Sequence, residues 1–332
     1  MQKTSVSVIV PSYKRTEDLK VCLRSLERQL VAPDEVIIVY REEDLETRTF
    51  LDSARLSHTT LRRIEVHSPG LAHAINKGVE SSGGEIIAFT DDDAEPDEDW
   101  VKEIISFFEK NPEAGGVGGR DRFASGLPEK DSPPKASTFG CLDRWGRFHG
   151  NHHCPIGADL VEVDYPKGVN MAWRSSLIQD IDVSEGMWGE GAVPCTEMVL
   201  GYVVKAKGFQ VYLSDKISVK HNVSERSEGD EREDNLPFSK QVLHNKFYVV
   251  SHYGPKERLW PAFLRCALIG GSRHPGLLAL PFFGRQNYSI EELWQILSCA
   301  CVGWEAGLKK RNCFAQADAV SVVGYILSRL LK

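Results

Sequence analysis

The first 120 residues alternate between segments typical of buried strands and segments typical of amphipathic helices. The strand-like segments are rich in Val and Ile, and the helix-like segments repeat apolar residues every three or four positions. This alternation predicts an α/β fold with right-handed crossovers and a mostly parallel sheet flanked by helices. The predicted strands are residues 6–12, 34–40, 61–68 and 86–90, and the predicted helices are residues 16–29, 71–82 and 97–111.

Three of the predicted strands end in polar residues, at 11–15, 40–44 and 91–93. Ligands of such sheets bind beyond the carboxyl ends of the strands, so these segments are expected to converge on one crevice. Residues 91–93 are three consecutive aspartates, whose charges repel unless positive charge lies among them. Two interpretations fit them: a solvated turn that caps the next helix, or a divalent cation held by oxygen ligands together with phosphates.

Composition excludes several classes of protein. A hydrophobic share of 42% with 26% charged residues is ordinary for a globular chain of 332 residues. The net charge of −7 argues against binding to nucleic acid. The eight cysteines form no CxxC pair, which favours reduced thiols in a cytoplasmic protein. We expect no secretory signal and no ordinary transmembrane helix, because no apolar run of about 20 residues occurs.

The pattern changes beyond residue 120. Residues 168–178 predict a short strand that runs into a helix, residues 195–209 a helix, and residues 210–222 a pair of strands. Residues 224–235 carry six acids and two arginines and predict a linker, with helices beyond it. We therefore expect a sheet domain at 1–223 and a helical region at 236–332. The most apolar stretch, 259–284, is interrupted by charges and prolines, so it is expected to be buried or surface-associated.

Three motifs occur in an order and at a spacing typical of one family: VPSYKR at 10–15, GLAHAINKGVESSGGEIIAFTDDDAEPDEDWV at 70–101 and GVNMAWR at 168–174. Together they resemble family 2 glycosyltransferases, enzymes of GT-A (Rossmann-like) fold that use nucleotide sugars. The resemblance covers about residues 5–222. It implies an inverting, metal-dependent enzyme that transfers a sugar to a hydroxyl of a glycan or glycolipid, in the synthesis of cell-surface polysaccharide.

The resemblance assigns residues at the first two strand ends to the donor nucleotide. Pro11 and Tyr13 are expected to touch the base and ribose, and Arg15 to meet a phosphate. Relatives usually carry an aspartate directly after the second strand. This chain has Tyr40 and Arg41 there, so Glu42 is expected to take over the base contact, and the identity of the base stays open. Lys77 is either a phosphate contact or an ordinary lysine on a helix surface.

The resemblance assigns the acidic motif to the metal and the diphosphate. Asp91 is expected to face the ribose or uridine, and Asp93 to bind Mg²⁺ or Mn²⁺. Asp92 lies between them and is assigned to the nucleotide-sugar site. Alternate side chains of an extended strand point to opposite faces, so Asp92 is expected to point away from Asp91 and Asp93 and to stabilise the loop by a hydrogen bond. His221 ends a predicted strand and is expected to be a further metal or diphosphate ligand, the alternative being an ordinary loop histidine.

Inverting transfer needs a general base for the acceptor hydroxyl. In the family an acid at the start of a helix does this work, which implies Glu197, with Glu190 as the alternative. Thr196 and Val199 stand where relatives often carry further acids. Asn170 and Trp188 are expected on the acceptor side. The segment FHGNHHC at 148–154 has enough ligands for zinc, but its spacing matches no common zinc site, so it is predicted to be an acceptor-side loop.

Two other functions remain open from the sequence alone. A sugar nucleotidyltransferase also combines an α/β sheet with metal carboxylates, although VPSYKRTED lacks the glycine-rich phosphate loop of such enzymes. A glycan-binding protein that has lost activity would explain the few acids around Glu197. Residues 259–284, with nearby arginines, are expected to contact either an anionic membrane at its inner face or another protein surface.

Overall fold

A computed structural model describes residues 4–123, 136–189, 191, 193–222, 236–271, 276–278 and 289–311. The chain divides into two compact units. Unit 1 comprises Met1–Cys141, His149–Ser184 and Thr196–Glu228, and unit 2 comprises Leu142–Phe148, Glu185–Cys195 and Gly229–Lys332. Two short segments of the expected sheet domain therefore group with the C-terminal helices. The linker predicted at 224–235 lies outside the described residues.

Unit 1 is built on strands that alternate with helices. Its strands are β1 (Val6–Ser12), β2 (Glu35–Arg41), β3 (Thr60–Val66), β4 (Ile86–Thr90), β5 (Ala94–Pro96), β6 (Ala114–Phe123), β9 (Val161–Val163), β10 (Asn170–Arg174) and β11 (Gln210–His221). Its helices are α1 (Thr16–Glu27), α2 (Leu45–Ser53), α3 (Leu71–Ser81), α4 (Trp100–Lys110), α5 (Ser175–Ile178) and α6 (Thr196–Ala206). A separate two-stranded sheet pairs β7 (Cys141–Leu142) with β8 (Phe148–His149).

The main sheet has the strand order β3-β2-β1-β4-β10-β6-β11-β5, with β9 paired to β11. Strands β1 to β4 are parallel, and β6 and β11 are parallel to each other. Strand β10 runs antiparallel between β4 and β6. Strands β1 and β4 are buried on both faces, which explains their nearly continuous apolar sequences. The predicted mostly parallel sheet flanked by helices, with a helical C-terminal region, is confirmed.

Strand β6 was not apparent from the sequence, because AGGVGGRDRF has almost no strand-forming residues at its start. Close packing explains its glycines. A Cβ on Gly116 would lie 2.3 Å from the Trp173 ring, and a Cβ on Gly119 would lie 1.5 Å from the Ile217 carbonyl oxygen. The glycines therefore let the neighbouring strands approach the backbone of β6 more closely than any side chain would permit.

One long strand, β11 (Gln210–His221), is found where the sequence predicted a pair of strands at 210–222. The register between β11 and β6 shifts between Ser214 and Ser218, and pairing then continues to His221. Beyond this irregularity β11 also pairs with the short strand β5, with His221 opposite Ala94. The irregularity thus lets β11 pair with both β6 and β5, and it directs the C-terminal end of β11 toward the acidic motif.

Unit 2 contains helices α7 (Leu236–His252), α8 (Leu259–Leu268) and α9 (Ile290–Lys310). Its apolar core includes Phe247, Phe263 and Trp304, with the Phe263 and Trp304 ring centroids 5.2 Å apart. Phe263 is therefore a core residue and does not belong to the apolar surface expected at 259–284. Ser289 begins α9 with a capping box to Glu292. Within the described ranges, no helix is long and apolar enough to cross a membrane.

Candidate active site

The acidic motif follows β4 directly and turns into β5 within three residues. Asp91 is half-buried, and Asp92 and Asp93 are buried. The backbone is held at both ends of the motif, because Ala94 N donates to Asp91 O at 3.2 Å and Asn222 N donates to Asp93 O at 2.8 Å. The carboxylates are thus parts of a fixed turn between two strands, unlike the side chains of a solvated loop.

Arg15 supplies the positive charge that three adjacent aspartates need. It precedes α1 at the end of the loop that follows β1, and its side chain is only 18% exposed. Its Nη1 donates to Asp92 Oδ1 at 2.9 Å and to Asp93 Oδ2 at 3.1 Å. The first and fourth strand ends therefore meet, as expected for the carboxyl edge of a parallel sheet.

Asp92 lies in an unfavourable place for a negative charge. Burial raises its pKa to about 7, with Asp93 and Asp91 adding to the rise, while the charge of Arg15 opposes it. The Asp92 carboxyl group therefore exchanges its proton near neutral pH. Its hydrogen bond to Arg15 connects the β1 loop to the acidic motif.

Asp91, Asp93 and His221 form the one group of potential metal ligands found among the described residues. One ligand atom from each lies within 4.8 Å of the others. The antiparallel pairing of β5 with β11 brings His221 beside the motif, and His221 Nε2 lies 3.2 Å from Asp93 Oδ1. Two carboxylates and one imidazole fit a divalent cation such as Mn²⁺ or Mg²⁺, with coordination positions left for phosphate oxygens.

His221 carries a positive charge in the metal-free site. Burial lowers its pKa, but hydrogen bonds and charge from Asp121 and Asp93 outweigh burial and raise the pKa to about 9. A cation that binds through Nε2 must therefore displace a proton from the ring.

Asp121 and Lys167 contact the candidate metal site through His221, and the sequence analysis did not predict either residue. The Asp121 side chain is fully buried on β6, with Oδ1 lying 3.2 Å from His221 Nδ1. Its other oxygen forms a short ion pair with the Lys167 ammonium group. Burial raises the pKa of Asp121, but His221 and Lys167 together lower it below its usual range. Asp121 is therefore ionised beneath the candidate metal ligands.

The second strand end is held to the β1 loop by charge and aromatic contacts. The Arg41 guanidinium lies 4.8 Å from the centre of the Tyr13 ring, and Arg41 also pairs with Glu43. Asp44 caps α2 and accepts a hydrogen bond from Lys14 N at 2.5 Å. This contact holds Lys14 at a positive φ of 54°. The positive φ turns the chain between Tyr13 and Arg15.

Glu42 and Lys77 are both exposed, and each has a neighbouring partner. Glu42 Oε2 lies 2.6 Å from His67 Nδ1, and this carboxylate raises the pKa of His67. Lys77, on α3, pairs with Glu80 at 2.7 Å. His67 and Lys77 line a cavity of about 310 Å³ between the end of β3 and α3. Pro11 pairs with Val39 inside the sheet, directly before the β1 loop.

Asn170 lies in the interior of unit 1. It is fully buried, and its Oδ1 accepts a hydrogen bond from Trp100 Nε1 at 2.9 Å. Its Nδ2 donates to the carbonyl oxygens of Arg120 and Ile217. The amide therefore links β6, β10, β11 and α4, and the acceptor-side role of Asn170 stays a prediction.

The residues expected to act on the acceptor fall in both units. Glu197 is the second residue of α6 in unit 1 and is half-buried. Trp188 belongs to unit 2, is 39% exposed and stacks on His244 with ring centroids 3.8 Å apart. Asn245 fixes the Trp188 backbone by accepting from its N–H and donating to its carbonyl oxygen. Glu190 lies outside the described residues.

The histidine-rich loop forms no metal site within the described part of the chain. His152 is buried, and its Nε2 lies 3.2 Å from the Tyr165 carbonyl oxygen. Burial lowers the pKa of His152 to about 4. His152 therefore packs as a neutral ring in the interior of unit 1.

Comparison with known proteins shows which class of protein this chain resembles. Residues 7–158 match the model of glycosyl transferase family 2. The chain is 25% identical over 235 residues to the glucosyl-dolichyl phosphate glucuronosyltransferase of Haloferax volcanii, covering 69% of this chain and 72% of that protein. It is 31% identical to glycosyltransferase AglE of the same organism, over 30% of this chain and 34% of that protein. The chain is therefore similar to family 2 glycosyltransferases.

Solved structures support the fold. S. aureus TarS 1–349 aligns with a TM-score of 0.55 at 16% identity, over 97% of this chain and 89% of that chain. The same protein in complex with UDP-GlcNAc aligns with a TM-score of 0.58 at the same identity and coverage. The sheet and its helices match a GT-A type glycosyltransferase fold.

Proposed function

We propose that this protein is a family 2 glycosyltransferase that is inverting and metal-dependent, and that it moves a sugar from a nucleotide-sugar donor to a hydroxyl of a glycan or glycolipid. The observation that carries the proposal is the grouping of Asp91, Asp93 and His221 at the end of β4. A divalent cation held there offsets the charge that develops on the diphosphate as the sugar–phosphate bond breaks.

The donor nucleotide is assigned to the edge formed by the first, second and fourth strand ends. Tyr13 offers a ring for the base, and the Arg15 guanidinium is the proposed phosphate contact. Glu42 and Lys77 are retained as base and phosphate contacts. The complex of TarS with UDP-GlcNAc supports a uridine diphosphate sugar as the donor, because that protein shares this fold.

Glu197 is proposed as the general base, with Glu190 as the alternative. The acceptor oxygen attacks the anomeric carbon from the face opposite the diphosphate, and Glu197 takes the hydroxyl proton. The new carbon–oxygen bond forms as the bond to phosphate breaks, and the nucleoside diphosphate leaves with the electron pair. The anomeric configuration is thereby inverted.

A lipid-linked glycan is the proposed acceptor. Support comes from the H. volcanii relative, whose name states that it acts on glucosyl-dolichyl phosphate. Trp188 remains a proposed acceptor contact, because one face of its indole packs on His244 and the side chain is partly exposed. Such a rigid aromatic face suits the apolar C–H surface of a sugar ring. The product would serve in the synthesis of cell-surface polysaccharide.

Contact with the inner face of an anionic membrane is proposed for α8. Trp260, Leu264 and Leu268 follow one another at helical spacing and are 39%, 50% and 39% exposed. Leu278, 65% exposed, joins this stripe because its N–H bonds to the Leu268 carbonyl oxygen. Arg265 lies beside the stripe and offers positive charge to lipid headgroups. The cytoplasm is the compartment proposed for the enzyme.

The donor assignment is tested by measuring thermal stabilisation with a panel of nucleotide sugars, each with and without Mn²⁺. A donor at about 100 times its dissociation constant adds about 2.7 kcal/mol to the free energy of unfolding. We expect stabilisation that requires Mn²⁺ and is lost in Asp93→Asn. Equal stabilisation of wild type and Asp93→Asn would refute the metal assignment. Release of pyrophosphate from sugar 1-phosphate and nucleoside triphosphate would instead indicate a nucleotidyltransferase.

A further inference from the structure

We propose that Asp121 is a positioning residue for His221, holding the imidazole so that Nε2 faces Asp93 and the bound cation. The inference rests on the proposed metal-dependent function and extends it to a buried residue on another strand. Nothing in the donor motifs of the sequence points to this residue.

The strand register brings the two residues together. Beyond the irregularity in β11, Val219 lies opposite Asp121 on the parallel strand β6, and His221 follows two residues later. The backbone of Asp121 is held from the other side, because its N–H donates to the His152 carbonyl oxygen at 3.0 Å. The backbone of Asp121 is therefore held in place, and its carboxylate lies next to the His221 ring.

The contacts of the ring define its orientation. His221 Nδ1 lies 3.2 Å from Asp121 Oδ1, and Nε2 lies 3.2 Å from Asp93 Oδ1. A carboxylate only accepts hydrogen bonds, so each ring nitrogen donates to the carboxylate that it faces. A cation that replaces the proton on Nε2, the nitrogen facing the acidic motif, leaves Nδ1–H donating to Asp121.

The second oxygen of Asp121 distinguishes this arrangement from a simple ion pair. Lys167 takes that oxygen and balances its charge, while the first oxygen is directed at His221. Buried carboxylates that accept from a metal-ligating histidine fix the ring and make its free nitrogen more basic. Loss of such a partner weakens metal binding by about 10- to 100-fold.

The test measures Mn²⁺ binding to the full chain in the presence of UDP, following free Mn²⁺ by electron paramagnetic resonance. We expect Asp121→Asn to raise the Mn²⁺ dissociation constant about 10- to 100-fold. The matched control is Asp164→Asn, another buried aspartate of unit 1, which pairs with Lys205 at 2.9 Å. It should leave Mn²⁺ affinity unchanged. An equal loss in both variants would overturn the inference in favour of a general structural effect.

A double-mutant cycle decides whether Asp121 acts through His221. In a His221→Asn background, Asp121→Asn should have no further effect on Mn²⁺ affinity. The same loss in both backgrounds would overturn the inference. If Asp121→Asn does not fold, Asp121→Asn combined with Lys167→Met removes both members of the ion pair and should show the same weakened binding.

The proposed function and this inference fail in different ways. Unchanged Mn²⁺ affinity in Asp93→Asn would remove the metal site itself. Lost affinity in Asp93→Asn with full affinity in Asp121→Asn would leave the metal site standing and overturn only the role of Asp121.

Discussion

Asp92→Asn should stabilise the metal-free protein at alkaline pH, although it alters the candidate active site. Asp92 is buried, and its pKa is raised from 3.8 to about 7. A carboxyl group whose pKa is higher in the folded state stabilises that state while protonated. This contribution is full below pH 3.8 and is lost as pH rises through 7. Asparagine keeps the shape of the side chain and never ionises.

The magnitude follows from the two pKa values. A shift of about three units corresponds to about 4 kcal/mol in total, of which between about 2 and 3 kcal/mol is lost between pH 5 and 8. The substitution also replaces a charged acceptor of Arg15 by a neutral one, which costs about 1 kcal/mol. Arg15 retains Asp93 at 3.1 Å. We therefore expect Asp92→Asn to exceed wild type by about 1–3 kcal/mol at pH 8.

Urea denaturation of both proteins in EDTA, at pH 5 and pH 8, measures this difference. The two proteins differ only in the Asp92 carboxyl group, so the change with pH in the difference between their free energies of unfolding reports its ionisation. Asp180→Asn, which removes a surface carboxylate from the same unit, is the control. A difference between Asp92→Asn and wild type that does not grow from pH 5 to pH 8 would refute the reasoning.

Three further predictions concern other parts of the chain. Glu197→Gln should lower the rate of sugar transfer at least about 100-fold in kinetic assays, while titration shows that UDP still binds. Loss of activity in Glu190→Gln instead would identify Glu190 as the general base. His152→Gln should reduce the loss of stability on acidification, measured by urea denaturation. A folded-state pKa of about 4 for His152 makes the wild type lose about 2 kcal/mol at this residue as pH falls from 6.5 to 4.5, and an equal loss in the variant would contradict this. Leu264→Asp should reduce flotation with anionic vesicles at low salt, while Leu30→Asp, also at an exposed leucine, should not; equal flotation of both variants would contradict an α8 contact.

The sequence predicted those features whose signal is local. Strands β1 and β4 are nearly continuous apolar runs, and both are buried on both faces of the sheet. Parallel strands place their carboxyl ends at one edge, so Arg15 and the acidic motif could be expected to meet although they are more than 70 residues apart. Helix α2 gave no clear signal, because only Thr47 and Leu51 of its nine residues are buried.

Features that depend on contacts between distant strands could not be predicted in this way. The glycines of β6 resemble a loop in sequence, and their reason lies in Trp173 and Ile217, which occupy the space of the missing side chains. Without β6, no pattern places Asp121 anywhere near His221, which is 100 residues further along the chain.

The register of β11 against β6 supplies what the sequence lacks. A histidine that ligates a metal almost always donates its other N–H to a second group that orients the ring. In this fold that group comes from the neighbouring strand β6. RDRF, at the end of β6, offers the one carboxylate of that strand. The register then decides, and the shift between Ser214 and Ser218 brings Asp121, rather than either flanking arginine, to the imidazole.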